Sequence, residues 1–267
     1  IGAGLAGSLL AVYLAREGWT VELVERRTDP RLQGLAAGRS INLAISARGI
    51  KALKRAGLED TVMKDAIRMS GRMIHPIAGS TGYQPYSADP TRAINSVSRS
   101  ALNLGLLNAA AAEPNVTVRF DQRCASVDFA NGEVSFIDDR TGATRTATAD
   151  LVVGADGAYS AVRGALQKSE RFNYAQDFLS HGYKELHIPA SANGPHAPFA
   201  MEKNALHIWP RGESMMIALP NPDGSFTCTL FWRHDGAGSS FANIKTGADA
   251  LAHFRVAYPD AVAKLEP

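Results

Sequence analysis

"IGAGLAGSLLAVYLAREGWTVELVE", residues 1–25, decides how the rest of the chain is read. Gly2, Gly4 and Gly7 form a G-x-G-x-x-G turn, an apolar run with helical character follows, and Gly18 stands where such a helix can end. "TVELVE" then reads as a strand. Its last residue, Glu25, lies 23 positions after Gly2, close to the offset of about 20 at which a carboxylate meets a ribose hydroxyl in dinucleotide folds. Glycines let the backbone approach a pyrophosphate, and the helix N-terminus supplies unpaired amides and the positive end of a dipole. A glycine turn alone is equally compatible with a ligand-free βα connection. Turn, helix, strand and acid in register predict dinucleotide binding at Gly2, Gly4, Gly7 and Glu25, and the acid favours an unphosphorylated ribose, as in FAD or NAD.

Working outward, Arg26 and Arg27 follow the acid and read as a solvated strand end, Arg27 more so than Arg26. Arg39 lies in a Gly-Arg-Ser context before an apolar segment, where it can reach a phosphate or a flavin. Residues 47–67 read as one or two short helices interrupted at Gly57. Residues 72–77 and 93–98 read as strands joined by a loop rich in Gly, Ser, Tyr and Pro. Residues 99–113 have helical periodicity, with Leu102, Leu106 and Ala109 on one face and Arg99 at the start. A cation there opposes the helix dipole unless an anion sits between them, which makes Arg99 a phosphate candidate.

Alternating runs at 116–120, 124–129, 133–137 and 144–148, with Asn131-Gly132 and Thr141-Gly142 turns, predict a β-meander forming a three-stranded flap inserted in the α/β unit. "DLVVGADGAYSAVR", residues 150–163, reads as a buried strand, an Asp-Gly turn and a helix capped by Ser160. Asp156 is thereby placed at a strand end, where ligands bind parallel sheets. As turn chemistry alone, Asp-Gly would say little. From 176 onward the strand-like runs "HGYKELHI", "ALHIW", "SMMIALP" and "SFTCTLFW" predict a mainly antiparallel sheet, and 241–257 a closing helix. Met215, Ile217 and Leu219 share one face of their strand.

The chain has 267 residues, 45% hydrophobic and 20% charged, with a net charge of +2 and its basic residues dispersed. It is long enough for one large or two medium domains, and nothing in it points to a nucleic-acid partner. Its two cysteines, Cys124 and Cys228, have no metal-ligand spacing, so no metal site is expected. No apolar run is long enough to span a bilayer, so no membrane contact is expected from this stretch. The start of the chain on the glycine turn, with only Ile1 of the preceding strand, reads as an excerpt of a longer protein.

The motifs "GAGLAG" with "ERR", "GRSINLA", "SVSR" and "GADGAYSAVR" together resemble the single-component FAD-dependent aromatic hydroxylases. The pieces "SGRMIH", "QPY", "HGYKEL", "LHIWPRG" and "IALPNPDGSFTCTLF" extend the resemblance, over essentially the whole chain, to members acting on L-kynurenine. The resemblance implies an α/β fold: a Rossmann-type FAD-binding domain at 1–70 and 99–175, discontinuous and lacking its C-terminal part, and a mainly antiparallel β-sheet substrate domain at 71–98 and 176–267. It implies FAD as cofactor, NADPH as co-substrate, molecular oxygen, and no catalytic side chain, because the flavin carries the chemistry. Arg72 and Tyr86 would hold the substrate carboxylate, and a guanidinium and a phenol suit that task. The plainer possibility is that Arg72 pairs with an acid and Tyr86 only packs. Leu206, Ile217, Leu219 and Phe231 would line the substrate ring. Glu25, Arg26, Ala44, Arg99 and Asp156 would lie on FAD.

A second FAD signature and a helical C-terminal region are expected beyond residue 267. A hydroxylase of another aromatic acid, or a non-catalytic flavin-fold binding protein, remain as alternatives. A bacterial-like cytoplasmic protein is expected, or one anchored to the outer mitochondrial membrane by a C-terminal segment if it is eukaryotic.

Overall fold

The first glycine turn leads directly into α1 (Leu5–Arg16), which stops as expected at Gly18, whose φ of +89° suits a residue without a Cβ. In this computed structural model, which describes residues 1–33, 42–236 and 238–265, the elements that follow are β1 (Val21–Val24), α2 (Pro30–Gln33), β2 (Asn42–Ile45), α3 (Ala47–Arg55), α4 (Glu59–Met63), β3 (Ile67–Met69) and β4 (Gly71–Ile74). Then come β5 (Gly82–Pro85), β6 (Ile94–Ser98), α5 (Arg99–Ala112), β7 (Val116–Arg119), β8 (Gln122–Asp128), β9 (Glu133–Asp138), β10 (Thr144–Thr148) and α6 (Ala161–Leu166). The last are β11 (His181–Ile188), β12 (Ala205–Arg211), β13 (Ser214–Pro220), β14 (Phe226–Arg233), α7 (Gly247–Ala257) and α8 (Pro259–Val262).

Two compact units result. The first comprises Ile1–Arg39, Ala52–Val62 and Ser100–Gln176. In it β1 pairs in parallel with β7, Val21 opposite Val116. The backbone of residues 1 and 2 lies beside both β1 and 153–155, since Gly2 N donates to Val24 O, Ile1 N to Val153 O and Ala155 N to Ile1 O, each at 2.7 Å. The three-stranded antiparallel sheet β10-β9-β8 packs Cys124, Val134 and Phe136 with Val24 and Val162. The run at 116–120 was expected in that meander and instead joins β1. Alternation identifies a strand but not its partner, and the helix α5 before it supplies the crossover that a parallel pair needs. The run before Asp156, expected as a buried strand, is not one, and its Leu151 is 56% exposed.

The second unit comprises Ser40–Lys51, Met63–Arg99 and Asp177–Pro267. Its main sheet has the order β11-β14-β13-β12-β4-β5, antiparallel except for the parallel pair β12·β4. A smaller antiparallel sheet, β2-β6-β3, belongs to the same unit. One face of the main sheet is core: Trp209, Met216, Ala218, Cys228, Leu230 and Trp232 pack against Phe254, Tyr258 and Ala261 from α7 and α8. Burying the large apolar side chains among these is worth about 1.5–3 kcal/mol each before the entropy of ordering is set against it. The opposite face is left for other work. Two short strands were not anticipated: Ile67–Met69, of which only Ile67 had an assignment, as the end of a helix, and Gly82–Pro85, read as loop.

Candidate functional site

Candidate residues gather at two places, one in each unit. In the first unit, Gly2 has φ +100° and its missing Cβ would fall 2.5 Å from Ala155 O, so the glycine turn and the Asp156 loop are in direct backbone contact. A Cβ on Gly7 would fall 1.8 Å from Gly2 O, so Gly7 lets α1 approach the turn. Gly4 differs. It is the N-cap of α1, with no side-chain cap and no acid in the first turn, and a Cβ there would meet nothing within 4 Å. Among the described residues no side chain caps this positive dipole end and Gly4 is exposed, which fits a pyrophosphate.

Glu25 reaches the same turn. Its Oε2 accepts from the Ala3 amide at 2.9 Å and its Oε1 from the Arg27 amide at 3.0 Å. A carboxylate has about four lone-pair sites, so capacity remains for ribose hydroxyls. Asp156 has a local task as well: Oδ1 accepts from Ser160 Oγ at 2.5 Å, and Oδ2 accepts from the amides of Ala161 and Val162 at 2.7 and 3.3 Å. Burial raises the Asp156 pKa, but the hydrogen bonds from Ser160, Val162 and Ala161 outweigh it and hold the carboxyl below its ordinary range. Arg26 is exposed beside Glu25. Ala44, exposed on β2, and Arg99, exposed at the first position of α5, belong to the second unit. Arg39 lies outside the described residues.

In the second unit, register decides which side chains share a face. Arg72 on β4 stands opposite Leu206 on β12 and opposite Gln84 on β5. The β12·β13 register sets Ile208 opposite Ile217, and Leu219 pairs with Thr227 on β14, two residues from Thr229, the partner of Ile217. Phe231 follows two further along. Since paired residues share a face and alternate residues along a strand do too, Arg72, Leu206, Leu219, Ile217 and Phe231 all stand on the face away from α7 and α8. Tyr86 joins them: its amide continues the ladder to Ser70 O at 3.1 Å, and the Arg72 guanidinium carbon lies 5.2 Å from its ring centroid.

Among the described residues, Arg72 has no acid partner, unlike Arg16, Arg31, Arg119, Arg123, Arg145 and Arg233, which all form ion pairs. Burial pushes the Tyr86 phenol above its ordinary pKa, with the Arg72 cation opposing. The phenol thus stays protonated and able to donate. The face has a polar end, Arg72 with Tyr86, and an apolar stretch of Leu206, Ile217, Leu219 and Phe231. Gln84, directly opposite Arg72, is a polar residue that the loop assignment of 82–86 hid. The alternation from Gln84 to Tyr86 was the signal for it. His75, one residue past β4, is buried on the other face.

A model of the family described as FAD binding domain matches residues 1–220. The kynurenine 3-monooxygenase of Myxococcus xanthus strain DK1622 is 53% identical over 263 residues, 98% of this chain and 56% of the relative. That of Stenotrophomonas maltophilia strain K279a is 49% identical over 260 residues, 97% of this chain and 56% of the relative. The chain thus spans about half the length of the curated relatives it matches. Among solved structures, the tetrameric form of 2-methyl-3-hydroxypyridine-5-carboxylic acid oxygenase aligns with a TM-score of 0.74 at 20% identity, covering 98% of this chain and 64% of that one. A probable FAD-dependent monooxygenase from Pseudomonas aeruginosa, pqsL, aligns with a TM-score of 0.71 at 19% identity, covering 98% and 68%. At such identities the likeness shows the fold alone.

Proposed function

From a chain that belongs to the FAD binding domain family, we propose the greater part of a kynurenine 3-hydroxylase: the complete protein converts L-kynurenine, NADPH, a proton and molecular oxygen to 3-hydroxykynurenine, NADP⁺ and water. Gly2, Gly4, Gly7 and Glu25 hold FAD, with Arg26, Arg39, Ala44, Arg99 and Asp156 contributing. Bound FAD, reduced by NADPH, supplies the activation of oxygen. The protein's own residues orient the acceptor. Arg72 takes the substrate carboxylate through two parallel hydrogen bonds, and Tyr86 adds a third from its O–H. Gln84 offers a neutral amide oxygen to the α-ammonium, which the Arg72 cation would otherwise repel. Leu206, Ile217, Leu219 and Phe231 lie along the aromatic ring and exclude water. The ring's own amino group enriches the adjacent carbon in electron density, so no protein nucleophile is required.

The observation that carries the proposal is Arg72, a guanidinium without an acid partner among the described residues, at the polar end of an apolar sheet face and paired with a protonated phenol. Relatives named for kynurenine support the substrate. The test uses Arg72→Lys and Arg72→Ala in the complete protein. Charge-assisted hydrogen bonds of about 1.5–3 kcal/mol predict kynurenine binding weakened roughly tenfold by lysine and more by alanine, at unchanged flavin content. Wild type should oxidise NADPH faster with kynurenine and place oxygen on the ring carbon beside the amino group. Normal kynurenine affinity in Arg72→Ala would make Arg72 a structural residue, and hydroxylation elsewhere on the ring would reject the substrate assignment.

A further inference from the structure

Behind the proposed substrate face, on the core side of the same sheet, three titratable side chains stand in line. His75 Nδ1 lies 2.9 Å from Asp260 Oδ2, His75 Nε2 lies 2.9 Å from His207 Nδ1, and His207 Nε2 lies 2.8 Å from the backbone carbonyl oxygen of Glu202. Trp209 Nε1 donates to the same Asp260 Oδ2 at 2.8 Å, and its ring stacks on His75 with centroids 4.1 Å apart. The histidines are 7% and 2% exposed. The Asp260 side chain is 39% exposed, which gives the line one end in contact with solvent.

The hydrogens in this line can be counted. Its three contacts require three hydrogens. The Glu202 carbonyl only accepts, so His207 Nε2 must donate to it. Two neutral imidazoles bring one hydrogen each and an ionised carboxylate brings none. In that state one of the three contacts sets two lone pairs against each other at under 3 Å, whichever tautomers are chosen. A third hydrogen completes the line, whether it rests on His75 as an imidazolium or on Asp260 Oδ2. We propose that Asp260, His75 and His207 form one proton-binding site, its two rings buried, that takes up a single shared proton and, when it does, ties α8 to β12 and to the residue that follows β4.

The charges facing the site are few. From α8 comes Asp260 itself, and from the turn after it Lys264, whose Nζ donates to the Asp260 carbonyl oxygen at 2.8 Å. From β12 comes Arg211, with Nη2 3.9 Å from Asp260 Oδ1 and Nη1 donating to the His75 carbonyl oxygen at 2.8 Å. From the segment before β12 come His196 and Glu202, 3.6 Å apart. Burial draws His75 below its ordinary value, with Asp260 opposing and Lys264 and Arg211 reinforcing, and it draws His207 down to about 4. Neither ring would keep a proton by itself near neutrality. Together they have what a lone ring lacks, a hydrogen-bonding oxygen at each end, so they titrate as a pair with a midpoint that belongs to neither residue.

The test is a pH titration of the complete protein with ¹⁵N-labelled histidine, following ring nitrogens by NMR. The rings of His75 and His207 should move together at one midpoint with uptake of one proton. Asp260→Asn removes the counter-charge and should lower that midpoint by at least one pH unit, a tenfold loss of proton affinity. Should Asp260→Asn disturb folding, Lys264→Ala leaves the line intact, removes an opposing cation and should move the midpoint up. Independent titration of the two rings, uptake of two protons, or midpoints unmoved by these substitutions would overturn the proposal.

Discussion

A methyl group added at Gly7 would lie 1.8 Å from the Gly2 carbonyl oxygen, whereas one added at Gly4 would meet no protein atom within 4 Å. The φ of Gly4 is −75°, which any residue adopts. One glycine is thus required by the protein's packing; the other is not, and the proposed pyrophosphate contact accounts for it. The two substitutions should part accordingly. Gly7→Ala forces the turn and α1 apart, and overpacking of this kind typically costs about 1–3 kcal/mol, so its thermal midpoint should fall. Gly4→Val should keep near-native far-UV dichroism and thermal midpoint while its flavin-to-protein ratio drops at least tenfold. Normal flavin content in Gly4→Val would remove the pyrophosphate assignment at that residue.

A short helix is governed by its ends, and α6 has six residues with one well-made end. Ser160 Oγ accepts from the Arg163 amide at 2.9 Å and donates to Asp156 Oδ1. Ser160→Ala should destabilise the protein by about 1 kcal/mol at neutral pH, read by urea unfolding. Because the hydrogen bonds depress the folded pKa of Asp156 below the unfolded value of about 3.9, its contribution is present above that pH and lost as pH falls through the depressed value. Losing Ser160 removes one of those bonds, so the gap between the variant and wild type should narrow below about pH 3.9. A gap constant down to pH 2 would detach Asp156 from the cap. This cap was legible in the sequence because it is local, as were Gly57, Gly132 and Gly142, all of which have positive φ. The strand at 82–85 was barely so, since all four residues are exposed and its last is proline, and only the two-residue step from Gln84 to Tyr86 marks it. The proposed substrate face was half legible: alternation tells which residues of one strand share a face, but only register tells that Arg72 stands opposite Leu206 and Gln84.

Across the whole molecule, each compact unit has its own buried core, and each core contains one of the two cysteines. Cys124 packs with Val134 and Phe136 in the first unit, and Cys228 packs with Met216 and Leu230 in the second. Both thiols are free and buried. Burial pushes Cys124 above its ordinary pKa and pushes Cys228 up to about 12, which alone cuts the reactive thiolate roughly a thousandfold. Native protein should therefore resist alkylation at both positions, and denatured protein should be labelled at both. Met216→Ala opens a cavity beside Cys228 and should cost about 2–5 kcal/mol in the second core. At a urea concentration below the unfolding transition, with labelled peptides mapped by mass spectrometry, that variant should accelerate modification of Cys228 far more than of Cys124. Equal acceleration at both thiols would contradict their assignment to separate cores, and rapid labelling of Cys228 in the native protein would contradict its burial.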